Sequence, residues 1–263
     1  MLRRSLLALV AVATLLAAPL SAREDVDLEL VLAVDISLSM DLDELRLQRQ
    51  GYIDALRDPE ILRAVRTGIS GRIAITYVEW AGWGSVNVVV PWMILDGPES
   101  AAAITDRLAA APTLRFRRTS ISGAMRASLD LFDASPYQAR RRVIDISGDG
   151  PNNEGPPVSL LREEVLRRGI TINGLPVMIK RQQSGWFDVE NLDEYYEDCV
   201  IGGPGSFMVP VTDQNDFARA IRTKLIMEIT GLQPGATVIP ASAAAPRVPC
   251  DIGEQIWRRW MDR

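Results

Sequence analysis

Three short segments of this chain gather carboxylates and hydroxyls at close spacing. Asp35-Ile36-Ser37-Leu38-Ser39-Met40 projects one carboxylate and two hydroxyls at alternate positions. Arg118-Thr119-Ser120-Ile121-Ser122-Gly123 opens a helical stretch with hydroxyls, and Ile146-Ser147-Gly148-Asp149-Gly150 carries a second carboxylate ahead of Pro151-Asn152-Asn153. Taken together, Asp35, Ser37, Ser39, Thr119 and Asp149 are hard oxygen donors of low formal charge. Such a set suits Mg²⁺, with Mn²⁺ or Ca²⁺ as alternatives, over softer metals. Two carboxylates leave room for water and for an anionic oxygen from outside, and the Asp or Glu of a partner protein is the natural sixth ligand. Each piece also has a plainer reading: hydroxyls before a helix cap it, and Asp-Gly is an everyday turn.

Histidine is absent. That excludes Ser–His–Asp and Cys–His hydrolysis and any histidine-ligated zinc or iron site. An enzymatic alternative is a metal-assisted phosphoryl or ester hydrolase, with Asp35 as nucleophile or Asp149 as base. Against it, the first loop lacks the second Asp of an Asp-x-Asp pattern and no lysine lies near either metal loop. A third reading is a structural scaffold whose metal site is vestigial. The net charge of −5, without a long basic run, argues against nucleic acid as a partner. Gly202-Gly203-Pro204-Gly205 lacks the Gly-Lys-Ser/Thr ending of a phosphate-cradling loop and reads as a turn.

The elements that must position these residues follow from hydrophobic patterning. Leu28–Val34 is a near-continuous apolar run, as expected of a strand buried on both faces. Further strands are expected at Arg72–Trp80, Val86–Ile94, Arg142–Ser147, Ile170–Val177 and Phe207–Val211. Helical spacing covers Asp41–Leu56, Glu99–Ala110, Thr119–Phe132, Pro157–Arg168 and Asp213–Ile229, with Asp58-Pro59 ending the first. Strands alternating with helices imply a Rossmann-like, doubly wound α/β fold. Its sheet is six-stranded and mostly parallel, with helices on both faces and 86–94 as an antiparallel edge. In open sheets of this kind ligands collect at the carboxyl ends of the strands, where all three segments converge.

Arg3 and Arg4, the apolar run Leu6–Leu16 and the small residues up to Ala22 read as a secretory signal peptide over residues 1–22. The protein is then exported, to the periplasm or beyond, with no transmembrane anchor in the mature chain. In such a compartment Cys199 and Cys250 are expected to form a disulfide, closing a loop of about 50 residues worth about 4 kcal/mol in chain entropy. The main domain spans 26–230, a Pro/Ala-rich linker 231–249, and a tail helix 250–263. Trp257 and Trp260 lie on one face of that helix, which either docks on the domain or presents itself to a membrane surface or partner.

Asp-x-Ser-x-Ser after the first strand, a Thr at the mouth of a mid-chain helix and Asp-Gly after the fourth strand resemble the metal-ion-dependent adhesion site (MIDAS) of von Willebrand factor type A (VWA) domains. The resemblance spans roughly residues 26 to 230. It implies a metal-dependent, non-enzymatic protein-binding module. In it Ser37, Ser39 and Thr119 offer direct hydroxyl ligands, while Asp35 and Asp149 act largely through hydrogen bonds and bound water. Tyr77–Gly82, Asp145–Pro157 and Tyr195–Gly205 are similar to a branch of secreted bacterial VWA-like proteins grouped as a domain of unknown function. Leu38 and Ser122 depart from the family's usual glycines. Glu79, Trp80, Trp83, Asn152 and Asn153 are expected near the same rim, where exposed Trp would anchor a partner; Trp80 and Trp83 packed beneath the hairpin is the alternative. Arg115, Arg117 and Arg118 either attract an acidic partner or form a solvated loop.

Overall fold

A computed structural model describes residues 23–179, 189–231 and 247–262. The expected signal segment and most of the expected linker lie outside the described residues. The central strand is β1 (Glu24–Asp35), paired in parallel with β2 (Ile73–Trp80) on one side and β4 (Tyr137–Gly148) on the other. β3 (Val86–Leu95) joins β2 antiparallel, and β5 (Thr171–Pro176) joins β4 in parallel. The sheet therefore runs β3-β2-β1-β4-β5, with the hairpin strand as its antiparallel edge.

The apolar run of β1 serves both faces of this sheet. Leu28, Leu30, Leu32 and Val34 join one core with residues of α1 (Leu42–Arg57), α2 (Pro59–Arg66), α3 (Pro98–Ala110) and α7 (Phe217–Thr230). Val31 and Ala33 join a second with residues of α4 (Ile121–Asp133), α5 (Val158–Arg167) and α6 (Leu192–Tyr195). Alternation along the strand places successive side chains on opposite faces, so both must be apolar. Asp41 starts α1 by a capping box with Glu44, which turns the chain sharply after the Ser37–Ser39 loop. The tail forms α8 (Ile252–Met261), tied back by the Cys199–Cys250 disulfide.

Two expectations need correction. Among the described residues the sheet has five strands, not six. Residues 207–211 run parallel to β5, with Gly174 N donating to Phe207 O and Val211 N to Pro176 O, but they pair only as isolated bridges. Pro176 has no N–H to supply the rung between them, so the ladder breaks there. Asp58-Pro59 also does more than end α1. Asp58 caps α2, and Pro59 occupies its first turn, where a missing N–H costs nothing.

Beneath α7 lies a charged cluster. Lys224 Nζ pairs with Asp145 Oδ1 at 2.6 Å and with Glu228, and all three side chains are at most 1% exposed. Asn173 Nδ2 donates to Glu228 Oε1 at 3.3 Å. One cation serves two carboxylates, and burial pushes the Glu228 carboxyl up to about 7. Lys224→Met strands two buried carboxylates and should destabilise the fold by about 3–5 kcal/mol. An acid whose folded pKa is raised loses stability as it ionises. Stability should therefore fall as pH rises from the ordinary 4.5 of a glutamate to about 7. Glu228→Gln should flatten that slope in urea unfolding; an unchanged slope assigns it to other groups.

Candidate metal centre

The register of the sheet brings the first and third segments together. Val34 of β1 faces Ser147 of β4, so Asp35 at the end of β1 adjoins the Gly148-Asp149 turn that leaves β4. Ser37 N donates to Asp35 Oδ1 at 2.6 Å, Ser37 Oγ and Ser39 Oγ share a hydrogen bond of 2.7 Å, and Ser39 Oγ donates to Asp149 Oδ1 at 2.6 Å. Four of the five expected ligand residues are thus linked by one run of hydrogen bonds. A Cβ on Gly148 would lie 3.0 Å from Asp35 Oδ2 and from the Tyr196 hydroxyl, so the close approach of the two carboxylate-bearing turns needs a residue without one.

The second segment is bonded to both of the other loops, to the first through Arg115 and Phe116 and to the third through Thr119. Phe116 N donates to Ile36 O at 3.2 Å, and Arg115 donates to Leu38 O at 2.7 Å and Met40 O at 2.5 Å. On the other side Asn153 N donates to Thr119 O at 2.8 Å, while Thr119 N donates to Asn153 Oδ1 at 3.0 Å. Arg118 adopts a left-handed φ of 74° to make the turn. Ser120 then caps α4 by accepting from Gly123 N at 3.1 Å. Of the hydroxyl residues in this segment, Ser120 is therefore a cap, and Thr119 is the one whose backbone is fixed to the loop after Asp149.

The electrostatics call for a positive charge. Asp35 is fully buried, and its Oδ2 has no hydrogen-bond partner among the described residues. Burial first, and the Asp149 charge second, push the Asp35 carboxyl well above the usual carboxylate range. Gln48 closes the floor: its Nε2 donates to Asp35 O at 3.3 Å and its Oε1 accepts from Ser147 Oγ at 2.7 Å. A cation at the mouth of these loops would offset the repulsion and use hydroxyl oxygens already gathered there. The residues present fit a hard divalent ion. Among the described residues no three His, Cys, Asp or Glu side chains cluster as metal ligands, in keeping with a donor set in which hydroxyls outnumber carboxylates.

The expected rim is only partly at the surface. Every residue of β2 is buried, because the strand lies between β1 and β3. Glu79 is 2% exposed and ion-paired with Arg49, and Trp80 is fully buried in the α4-side core. Neither can meet a partner. Asn152 is fully buried too: its Oδ1 accepts from Ser122 N at 3.0 Å and its Nδ2 donates to Glu254 Oε1 at 2.7 Å. Trp83 is 45% exposed at the hairpin turn, and Asn153 is half-buried. Leu38 and Phe116, at 47% and 43% exposure, stand on the first and second loops. The clamping roles of Gln48, Asn152 and Asn153 were not read from the sequence. The run of two Asn directly after Asp-Gly-Pro was the available signal.

A parallel sheet with a hairpin edge and helices against it give this chain a fold similar to that of VWA-domain structures. The fold is similar to proximal thread matrix protein 1 of the mussel byssus with a zinc-occupied MIDAS motif, at a TM-score of 0.58 and 12% identity over 79% of this chain and 49% of that one. It is similar to a von Willebrand factor type A protein from Catenulispora acidiphila, at 0.54 and 14% over 78% and 43% of the two chains. The vWF domain of the type V pili tip protein Mfa5 from Porphyromonas gingivalis matches at 0.55 and 10% over 80% and 98%. The chain thus spans about half the length of the mussel protein. It belongs to the family described as "Protein of unknown function (DUF1194)", whose model matches residues 25–233. No curated protein matches it.

Removing one like charge should relax the metal-free site. In chelator-stripped protein Asp149→Asn keeps an acceptor for Ser39 and should raise the Tm by a few degrees, for about 1 kcal/mol of relief. A lowered Tm by differential scanning calorimetry would contradict the repulsion.

Proposed function

We propose that this protein is an exported, metal-dependent protein-binding module of the adhesion type. Ser37, Ser39 and Thr119 offer hydroxyl ligands to a Mg²⁺-type cation, with Asp35 and Asp149 acting through hydrogen bonds and bound water. The open position takes an Asp or Glu carboxylate of a partner protein. The observation that carries this reading is the run of hydrogen bonds from Asp35 through Ser37 and Ser39 to Asp149, built on a buried carboxylate whose Oδ2 has no partner among the described residues. A zinc-occupied MIDAS in the mussel matrix protein and a pilus-tip role for the Porphyromonas domain are in keeping with it. Mg²⁺ is favoured over softer ions because every donor is oxygen.

Export is supported by the signal-like residues 1–22 and by the disulfide, which persists in oxidising compartments. The binding module then occupies residues 26–230, with 231–249 as the link to the tail helix. Hydrolysis by Asp35 is disfavoured by its full burial and by the Ser37 N–H bound to its Oδ1, which leave a substrate no approach. Calorimetric titration of chelator-stripped protein with Mg²⁺ and Mn²⁺ should show one site, lost in Asp35→Ala/Ser37→Ala. Absence of binding, or equal binding by the double variant, would overturn the metal assignment.

A further inference from the structure

The tail helix meets the domain at the two residues that flank the candidate metal centre. Gly253 packs so tightly on the loop after Asp149 that a Cβ there would lie 2.1 Å from Asn152 O and 3.1 Å from Pro151 Cγ. Beside it, Glu254 Oε1 accepts from Asn152 Nδ2 at 2.7 Å. One turn on, the Arg118 guanidinium lies 3.3 Å from the centroid of the Trp257 ring, and Arg118 immediately precedes Thr119. The disulfide from Cys199 fixes the start of the helix, and the Tyr195 hydroxyl donates to Cys250 O at 3.5 Å and accepts from Asn152 N at 3.1 Å.

The direct contacts of α8 side chains with the loops fall on Asn152 and Arg118, and the Tyr195 hydroxyl links Asn152 N to Cys250 O. Asn152 in turn holds the Ser122 amide at the start of α4, and its neighbour Asn153 holds Thr119 on both sides of the peptide unit. The loop from Asp149 to Glu154 has no strand or helix of its own to stiffen it. Its geometry is set from outside, by α4 on one side and α8 on the other.

We propose that α8 is a covalently tethered brace for the metal centre, and that Asn152 is the positioning residue through which it acts. The brace fixes the spacing between Asp149 and Thr119, which come from different loops, and so sets the affinity of the site for its cation. The disulfide makes that affinity sensitive to reduction. This rests on the metal-binding reading above, and the experiment separates the two.

The test compares wild type with Gly253→Ala, Cys199→Ser/Cys250→Ser, Glu254→Ala and Glu254→Gln. Each is titrated with Mn²⁺ by calorimetry and, metal-free, followed by hydrogen exchange. Loss of an outer partner weakens metal sites by about 10- to 100-fold, and Gly253→Ala, the double Cys variant and Glu254→Ala should each lose at least about tenfold in affinity. Amides of residues 118–123 and 149–155 should lose protection while those of β1 and β2 keep theirs. Glu254→Gln, which keeps an acceptor for Asn152, should stay near wild type in both measurements. Wild-type affinity in all four variants, with unchanged exchange over 118–123 and 149–155, would overturn the brace. Failure of wild type itself to bind Mn²⁺ would overturn the metal reading, and the exchange data would still decide whether α8 orders these loops.

Discussion

The carboxylate of Asp35 stands at the end of the central strand, fully buried, within the field of a second carboxylate. Taking such a group out of water is unfavourable unless something compensates its charge. The fold supplies only part of that compensation, through hydrogen bonds from Ser37 and from the backbone of Asp149. Much of the surrounding structure follows from holding this charge in place. The capping box at Asp41 turns the chain away after the serines, Arg115 pins two carbonyls of the same loop, and Gly148 lets the neighbouring strand end come close. A cation that relieved the repulsion between this buried carboxylate and Asp149 would stabilise the fold, linking binding to folding.

The same economy of charge does not extend to the other buried cluster. Lys224, Asp145 and Glu228 lie under α7 and neutralise one another by proton uptake rather than by an external ion. The two clusters share β4, with Asp145 on the strand and Asp149 four residues on, in the turn that leaves it. One is sealed by a helix and the other opens to the loops. That difference decides which of them can take a ligand.

The α/β class and the parallel sheet with its antiparallel edge were legible in the sequence, because β1 needs apolar side chains on both faces and its pattern shows it. The sixth strand was not, because Phe207–Val211 has the composition of a strand and the interruption comes from a proline in its neighbour. A second helix after Asp58-Pro59 was hidden because one dipeptide serves as both stop and start. At the centre, the alternating spacing of Asp35, Ser37 and Ser39 foretold a shared loop. The burial of Trp80 was one of two readings the sequence allowed, and that of Glu79 and Asn152 was opaque, since it depends on what lies on either side of them in space. A polar residue near a site in sequence is as often a clamp as a contact, and Asn152 is a clamp.

The central claim is that the hydroxyls and carboxylates of Asp35, Ser37, Ser39, Thr119 and Asp149 hold a hard divalent cation and leave one position open. Anomalous diffraction from crystals of the full chain grown with Mn²⁺ reads this directly. The account predicts one strong anomalous peak within coordination distance of Ser37 Oγ, Ser39 Oγ and Thr119 Oγ1, with a water or foreign carboxylate opposite the protein ligands. No peak there at saturating Mn²⁺, or a peak bound only elsewhere on the molecule, would contradict it.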